Sequence, residues 1–149
     1  MSDAPLILLV EDDENDAELA LRALSKAGFG DVVARARDGE EALDLLLARG
    51  PHEGSAGAAG LRLVLLDLKL PKRDGLQVLT AVRADARGRR VPIVVLTSSM
   101  LSADVEACWA AGATSYVVKP VEFSSHARTI QGIARYWLEL NVPDGAGRG

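Results

Sequence analysis

Residues 6–13 read Leu6-Ile-Leu-Leu-Val-Glu-Asp-Asp13, five apolar residues followed at once by three acids. An apolar run this short, with no polar face, suits a strand covered on both sides, as in a parallel sheet. The switch to acids marks the strand's carboxyl end. From Asn15 to Ala27, Ala17, Ala20, Leu21 and Leu24 recur at helical spacing; Asn15 and Glu18 form the expected capping box, and Gly28 the stop. The same strand-then-helix unit returns down the chain. A weaker strand, Asp31 to Ala36, precedes a helix opened by Asp38 and Glu41 and stopped by Gly50-Pro51. Leu63 to Leu66 ends at Asp67, and Asp74-Gly75 opens a helix through Ala84. Val91 to Leu96 leads to Thr97-Ser98-Ser99, then a helix from Leu101 to Ala111 closed by Gly112. Ser115 to Val118 leads to Lys119-Pro120 and a last helix from Val121 to the neighbourhood of Leu140. The Gly- and Ala-rich stretch 49–60 reads as a mobile loop at the opposite edge of the sheet.

Five such units imply an α/β fold: a doubly wound, five-stranded parallel sheet with right-handed crossovers and helices on both faces. Open sheets of this kind bind ligands at the carboxyl ends of their strands. Composition agrees with a single globular domain: 149 residues, 48% hydrophobic and 26% charged. With 17 Lys and Arg against 21 Asp and Glu, the formal charge of −4 weighs against a broad nucleic-acid-binding face. Cys108 is the one cysteine, which excludes an internal disulfide or a Cys-rich zinc site and fits a reducing cytoplasm. Apolar runs fall far short of the roughly 20 residues that span a bilayer, and the first residues carry no basic signal region. The expectation is a small, acidic, cytoplasmic domain without a membrane segment.

The strand ends carry the chemistry. Glu11 and Asp12 follow the first strand, Asp67 the third, Thr97 the fourth and Lys119 the fifth. Three carboxylates at one edge repel one another unless a cation joins them or one protonates. An all-oxygen, incomplete ligand set suits Mg²⁺, which keeps waters and accepts phosphate oxygens. A carboxylate can act as the nucleophile that forms an aspartyl phosphate, with Lys119 and Thr97 as donors to the phosphoryl oxygens. Taken singly, each residue also has an ordinary structural reading as a cap, a turn or a surface charge. Four strand ends of one edge converging by accident is far less plausible.

Val10-Glu-Asp-Asp13, Leu66-Asp-Leu-Lys-Leu-Pro71 with Asp74-Gly75, Leu96-Thr-Ser98 and Tyr116-Val-Val-Lys-Pro120 together resemble the receiver domain of two-component response regulators. The resemblance covers roughly residues 5 to 140. It implies the flavodoxin-like strand order 2-1-3-4-5, with Asp67 as phosphoacceptor. It further implies Mg²⁺ held by Glu11, Asp12, Asp67 and the backbone carbonyl of Lys69, Thr97 and Lys119 binding the phosphoryl group, and Tyr116 as a switch aromatic coupled to Thr97. Many receivers have Asp where Glu11 stands, which touches coordination detail alone. Leu8-Leu-Val-Glu-Asp-Asp-Glu-Asn-Asp-Ala17 and Tyr136-Trp-Leu-Glu-Leu-Asn141 also resemble the stand-alone regulators that accompany phytochrome-type photoreceptor kinases. That resemblance implies a sensor histidine kinase of phytochrome type as partner.

In the last helix, Phe123, Ala127, Ile130, Ala134 and Trp137 form the stripe expected to pack on the sheet. Tyr136, Trp137 and Leu140 are either core or an aromatic-rich partner surface. The second reading gives a homodimer through helix 4, strand 5 and helix 5. Residues 1–142 are expected to form the receiver and 143–149 a disordered tail, leaving no length for an output domain. Arg87, Arg89 and Arg90 read as a solvated charge run, and His52 and His126 as bystanders. Two rival functions remain. A receiver-like dimeric binding module would work without phosphorylation, its acids vestigial. A Mg²⁺ hydrolase would place a second Asp two residues beyond a nucleophile on the first strand, a spacing that Glu11-Asp12-Asp13 lacks.

Overall fold

The computed structural model describes residues 4–143. The expected tail therefore lies, apart from Pro143, outside the described residues. Five short strands, β1 (Ile7–Val10), β2 (Val33–Ala36), β3 (Leu63–Leu66), β4 (Ile93–Thr97) and β5 (Ser115–Val118), form one sheet in the order β2-β1-β3-β4-β5. Every pairing is parallel. The intervening helices are α1 (Glu14–Lys26), α2 (Gly39–Leu46), α3 (Gly75–Ala84), α4 (Ser102–Ala111) and α5 (Phe123–Arg135). The doubly wound sheet, its order and its helix count match the sequence reading.

Strand alternation divides the interior into two layers. Leu8, Val10, Val64, Leu66, Ile93 and Val95 face α2, α3 and α4. Ile7, Leu9, Leu63, Leu65, Val94 and Leu96 face α1 and α5. Both sides of β1, β3 and β4 are covered, which is why these strands are continuously apolar. The helices differ in how firmly they are held. Helix α3 buries Val78, Leu79 and Val82, whereas Cys108 is the one buried residue of α4. Trp109 and the preceding Met100 and Leu101 stay exposed. Gly112 closes α4 at φ 102°, a left-handed cap that glycine adopts without strain.

Four sequence expectations are corrected. Asp13, not Asn15, caps α1: its extended backbone directs its carboxylate to the Asp16 N–H at 2.8 Å, and Asn15 already lies inside the first turn. The stretch 49–60 is not a bare loop but folds into two single 3₁₀ turns, Gly50–His52 and Gly57–Gly60, with Gly57 and Ala58 buried. Small size, which suggested mobility, is what lets the second turn sit against the core. Phe123 does not pack on the sheet but is 75% exposed, because it is the first residue of α5, ahead of the point where the helix reaches the core at His126; Ile130 and Ala134 supply the apolar burial instead. Arg87 is not merely solvated: it donates to the Leu47 carbonyl at 2.7 Å and pairs with Asp85.

Gly75 sets how closely α3 approaches the end of β3. Its N–H donates to the Leu68 carbonyl at 2.8 Å, and a Cβ there would stand 2.3 Å from the Asp67 carbonyl oxygen and 2.7 Å from the Leu68 Cα. Both obstacles are backbone. Gly75→Ala is therefore expected to destabilise the fold by about 2 kcal/mol, read as a lower urea midpoint at unchanged slope.

Candidate functional site

Three strands that serve the site, β1, β3 and β5, prolong their ladders by one residue past their ends. The Glu11 N–H donates to the Ala36 carbonyl at 3.0 Å, and the Asp67 N–H donates to the Val10 carbonyl at 3.1 Å. The Lys119 N–H donates to the Thr97 carbonyl at 2.8 Å. These bonds fix the backbones of residues that are 108 positions apart in the chain. Glu11, Asp12 and Asp67 each offer a carboxylate oxygen, and the three oxygens lie within 4.8 Å of one another. Glu11 and Thr97 are buried, and Asp12 is exposed at the mouth.

Lys119 stands among the acids. Its ammonium donates to Glu11 Oε1 at 2.8 Å, Asp16 Oδ2 at 3.1 Å and Asp67 Oδ2 at 3.4 Å. Burial alone would lower the lysine's pKa; the Glu11 hydrogen bond and the charges of Asp67 and Glu11 outweigh it and raise it. Glu11 goes the other way from an ordinary acid. Burial, reinforced by the Asp67 charge, lifts it from 4.5 to about 7, although Lys119 and the Asp13 N–H act to lower it. One ammonium leaves the negative charge of the cluster uncompensated. Hard oxygen donors with such an excess fit a small divalent cation.

Beside the acids, Thr97 Oγ1 accepts from the Ser99 N–H at 3.4 Å. The Tyr116 hydroxyl donates to the Ser99 carbonyl at 2.9 Å, and the Ser99 hydroxyl donates to Asp104 on α4. Lys69 is exposed, and its N–H reaches Asp67 Oδ1 at 3.4 Å. The structure thus gathers Glu11, Asp12, Asp67, Thr97, Lys119 and Lys69 at one edge, with Tyr116 joined to Thr97 through Ser99. Tyr136, Trp137 and Leu140 lie apart from it, in the π-helical turn Tyr136–Leu140 that follows α5, where Tyr136 and Leu140 are exposed. Trp137 packs partly on the α1 and α5 layer and meets Tyr136 edge to face at 4.9 Å.

The family model of the response regulator receiver domain matches residues 7–131, the span that holds all five strands and the acid cluster. The chain belongs to the response regulator receiver domain family. It is therefore a two-component signalling protein. Among curated relatives, this receiver is 41% identical to the "Probable methanogenesis regulatory protein FilR2" of Methanothrix harundinacea, over 94% of this chain and 88% of that one. It is 35% identical to "Response regulator Rcp1" of Synechocystis, over 90% and 89%. The Mn²⁺-bound structure of Rcp1 superposes with a TM-score of 0.83 at 34% identity, covering 92% of this chain and 96% of that one. The phosphorylated cyanobacterial phytochrome response regulator RcpA gives 0.85 at 32%, again over 92% and 96%. The bacteriophytochrome response regulator AtBRR gives 0.69 at 45%, over 91% and 96%.

Two residues of the receiver's acidic edge escaped the sequence reading. Asp16, in the first turn of α1, holds Lys119. Arg35, in β2, donates to the Glu11 carbonyl from both Nε and Nη2. A charged residue inside a strand was the available signal for Arg35. Asp16 carried none, because acids in a first helical turn are ordinary. His126, set aside as a bystander, is buried with Nδ1 unpartnered, and burial, with Lys119 nearby, lowers its pKa.

Glu11 gives the metal-free receiver a pH signature. Its folded pKa of about 7 lies above the ordinary 4.5, so the folded state binds more protons between these values and stability falls as pH rises through them. His126 acts oppositely, and its effect fades within about a unit above its ordinary 6.5, so it trims the loss at the start of that range without reversing it. In EDTA, raising the pH from 6.5 to about 8 is expected to cost about 1 kcal/mol, a few degrees of Tm, and saturating Mg²⁺ to abolish the loss. Parallel melting curves with and without Mg²⁺ check it.

Proposed function

We propose that Asp67 accepts a phosphoryl group from the phosphohistidine of a sensor histidine kinase, of phytochrome type, and that the phosphorylated protein signals in the cytoplasm through a protein-contacting face. The observation that carries this reading is one acid, Asp67, sharing a 4.8 Å cluster with two others while facing the partly buried Lys119 ammonium at 3.4 Å. Glu11, Asp12, Asp67 and the Lys69 backbone carbonyl would hold Mg²⁺, which when bound supplies charge neutralisation and alignment of the phosphoryl oxygens. The Mn²⁺-bound Rcp1 and phosphorylated RcpA structures support the same reading.

The chain's own groups account for the transfer. An Asp67 oxygen attacks phosphorus, the P–N bond to histidine breaks, and the departing imidazole leaves with the bonding pair and takes up a proton from water. Lys119, already held beside Asp67, exchanges its carboxylate partners for the new phosphoryl oxygens. The Thr97 hydroxyl, whose oxygen now accepts from Ser99, retains its hydrogen for the same group. Positioning and charge do most of the work in such a step. Any shift of Thr97 passes through Ser99 to both Tyr116 and α4, the weakly buried helix. The protein thus modifies itself from a phosphorylated donor and turns over no other substrate.

The test is phosphorylation by acetyl phosphate. Labelling that requires Mg²⁺ and stops in EDTA supports the reading; none under either condition leaves a module that binds without phosphorylation. For the output we propose a homodimer through the α4–β5–α5 face, extended by Tyr136, Trp137 and Leu140. Trp109, Val118 and Leu140 are exposed along it. Light scattering at micromolar concentration is expected to give twice the chain mass, and Leu140→Asp to return the monomer. A wild-type monomer with and without a phosphate mimic contradicts the dimer.

A further inference from the structure

Glu11 is held from every side. Its N–H is bonded to Ala36 on β2, its Oε1 accepts from Lys119, and its Oε2 accepts from the Asp13 N–H at 3.2 Å. The remaining group, its carbonyl, lies in a residue that is 4% exposed and so needs a partner inside the protein. Arg35 is that partner. Its Nε and Nη2 donate to the Glu11 carbonyl at 3.1 and 2.9 Å, and Nη2 also reaches the Asp12 carbonyl at 3.5 Å. Nη1 extends the fork to Glu14 Oε1 at 2.6 Å. The Arg35 side chain is only 11% exposed, whereas Glu14 is 72% exposed and is shared with Arg37 at 3.8 Å.

We propose that Arg35 is a positioning residue for the metal-binding acids, and that the planar fork of its guanidinium, not its charge, sets the affinity of the site for Mg²⁺. The proposal rests on the metal reading given under Proposed function. Both backbone groups of Glu11 are tied to β2, so the direction in which Glu11 and Asp12 leave β1 is fixed before any cation arrives. The charge works against the alternative. A cation beside three acids competes with Mg²⁺, and Arg35 spends its own on Glu14 and on carbonyl dipoles. A lysine in its place keeps the charge but, as a single point donor, is unable to grip one carbonyl from two nitrogens. Loss of a group that orients metal ligands typically weakens binding by about 10–100-fold.

Calorimetric titration with Mg²⁺ of wild type, Arg35→Lys, Arg35→Met and Glu14→Gln separates the possibilities. Expected are about tenfold or greater losses in both Arg35 variants and wild-type affinity in Glu14→Gln. Should Arg35→Met fail to fold, Arg35→Lys alone decides. A lysine variant that binds as wild type means that charge suffices and overturns the proposal, as does unchanged binding in both. A second readout needs no metal. In EDTA, hydrogen exchange at the Glu11 and Asp13 amides is expected to quicken in the Arg35 variants while amides of α3 are unaffected. Unchanged exchange at both overturns the clamp. Wild type that binds no Mg²⁺ sinks the preceding reading instead, and faster exchange in the variants then still supports the clamp by itself.

Discussion

Asp67→Asn is expected to reduce phosphorylation by acetyl phosphate or by a phosphohistidine donor to background, with the fold intact. The amide keeps the size of the carboxylate but is no nucleophile for phosphorus, and no other acid of the cluster faces Lys119 from the end of β3. The variant should be no less stable than wild type. Losing the Asp67 charge removes one of the two influences that raise Glu11, so Glu11 moves back toward the ordinary carboxylate range. The measurement is intact-protein mass after Mg²⁺ and acetyl phosphate, beside a thermal melt. A variant that still gains the mass of one phosphoryl group places the acceptor elsewhere.

Lys119→Met is expected to act in two opposite directions. Lys119 is 13% exposed and contacts three carboxylates, so deleting its ammonium leaves Glu11, Asp16 and Asp67 facing one another. Breaking a buried pair by removing one partner costs about 3 kcal/mol, and the metal-free variant should melt correspondingly lower. Losing Lys119 also removes much of what lowers Glu11, so the variant's Mg²⁺ affinity is compared well above pH 8, where Glu11 is ionised in both proteins, and should rise by about tenfold because a competing cation has left the cluster. Mg²⁺ thus stabilises the variant more than it stabilises wild type. Equal affinities would mean that Lys119 and the metal do not share the same acids.

The fold was legible because the strands announce themselves. Leu6 to Val10 and Leu63 to Leu66 are apolar throughout, and a strand buried on both faces has no other way to look. The acids were legible for a related reason: Glu11, Asp12 and Asp67 stand where apolar runs stop, and a parallel sheet brings all such ends to one edge. What the sequence hid depends on distance along the chain. Arg35 and Asp16 are ordinary charges until the sheet sets β2 beside β1 and the end of β5 beside α1. Phe123 fits the helical stripe of α5, yet periodicity does not say where the sheet beneath a helix ends. Residues 49–60 misled through composition, since small residues serve a tight buried turn as readily as a mobile one.

The claim that everything functional depends on is that the phosphoryl group rides on one carboxylate. An acyl phosphate is reduced by borohydride to the corresponding alcohol, which marks the residue permanently. Wild-type protein phosphorylated with acetyl phosphate and Mg²⁺, reduced and then mapped by peptide mass spectrometry should carry the alcohol at Asp67 alone, and none when EDTA replaces Mg²⁺. Reduction at Asp12, Asp16 or another acid, or phosphate recovered on a hydroxyl such as Thr97, would contradict the account.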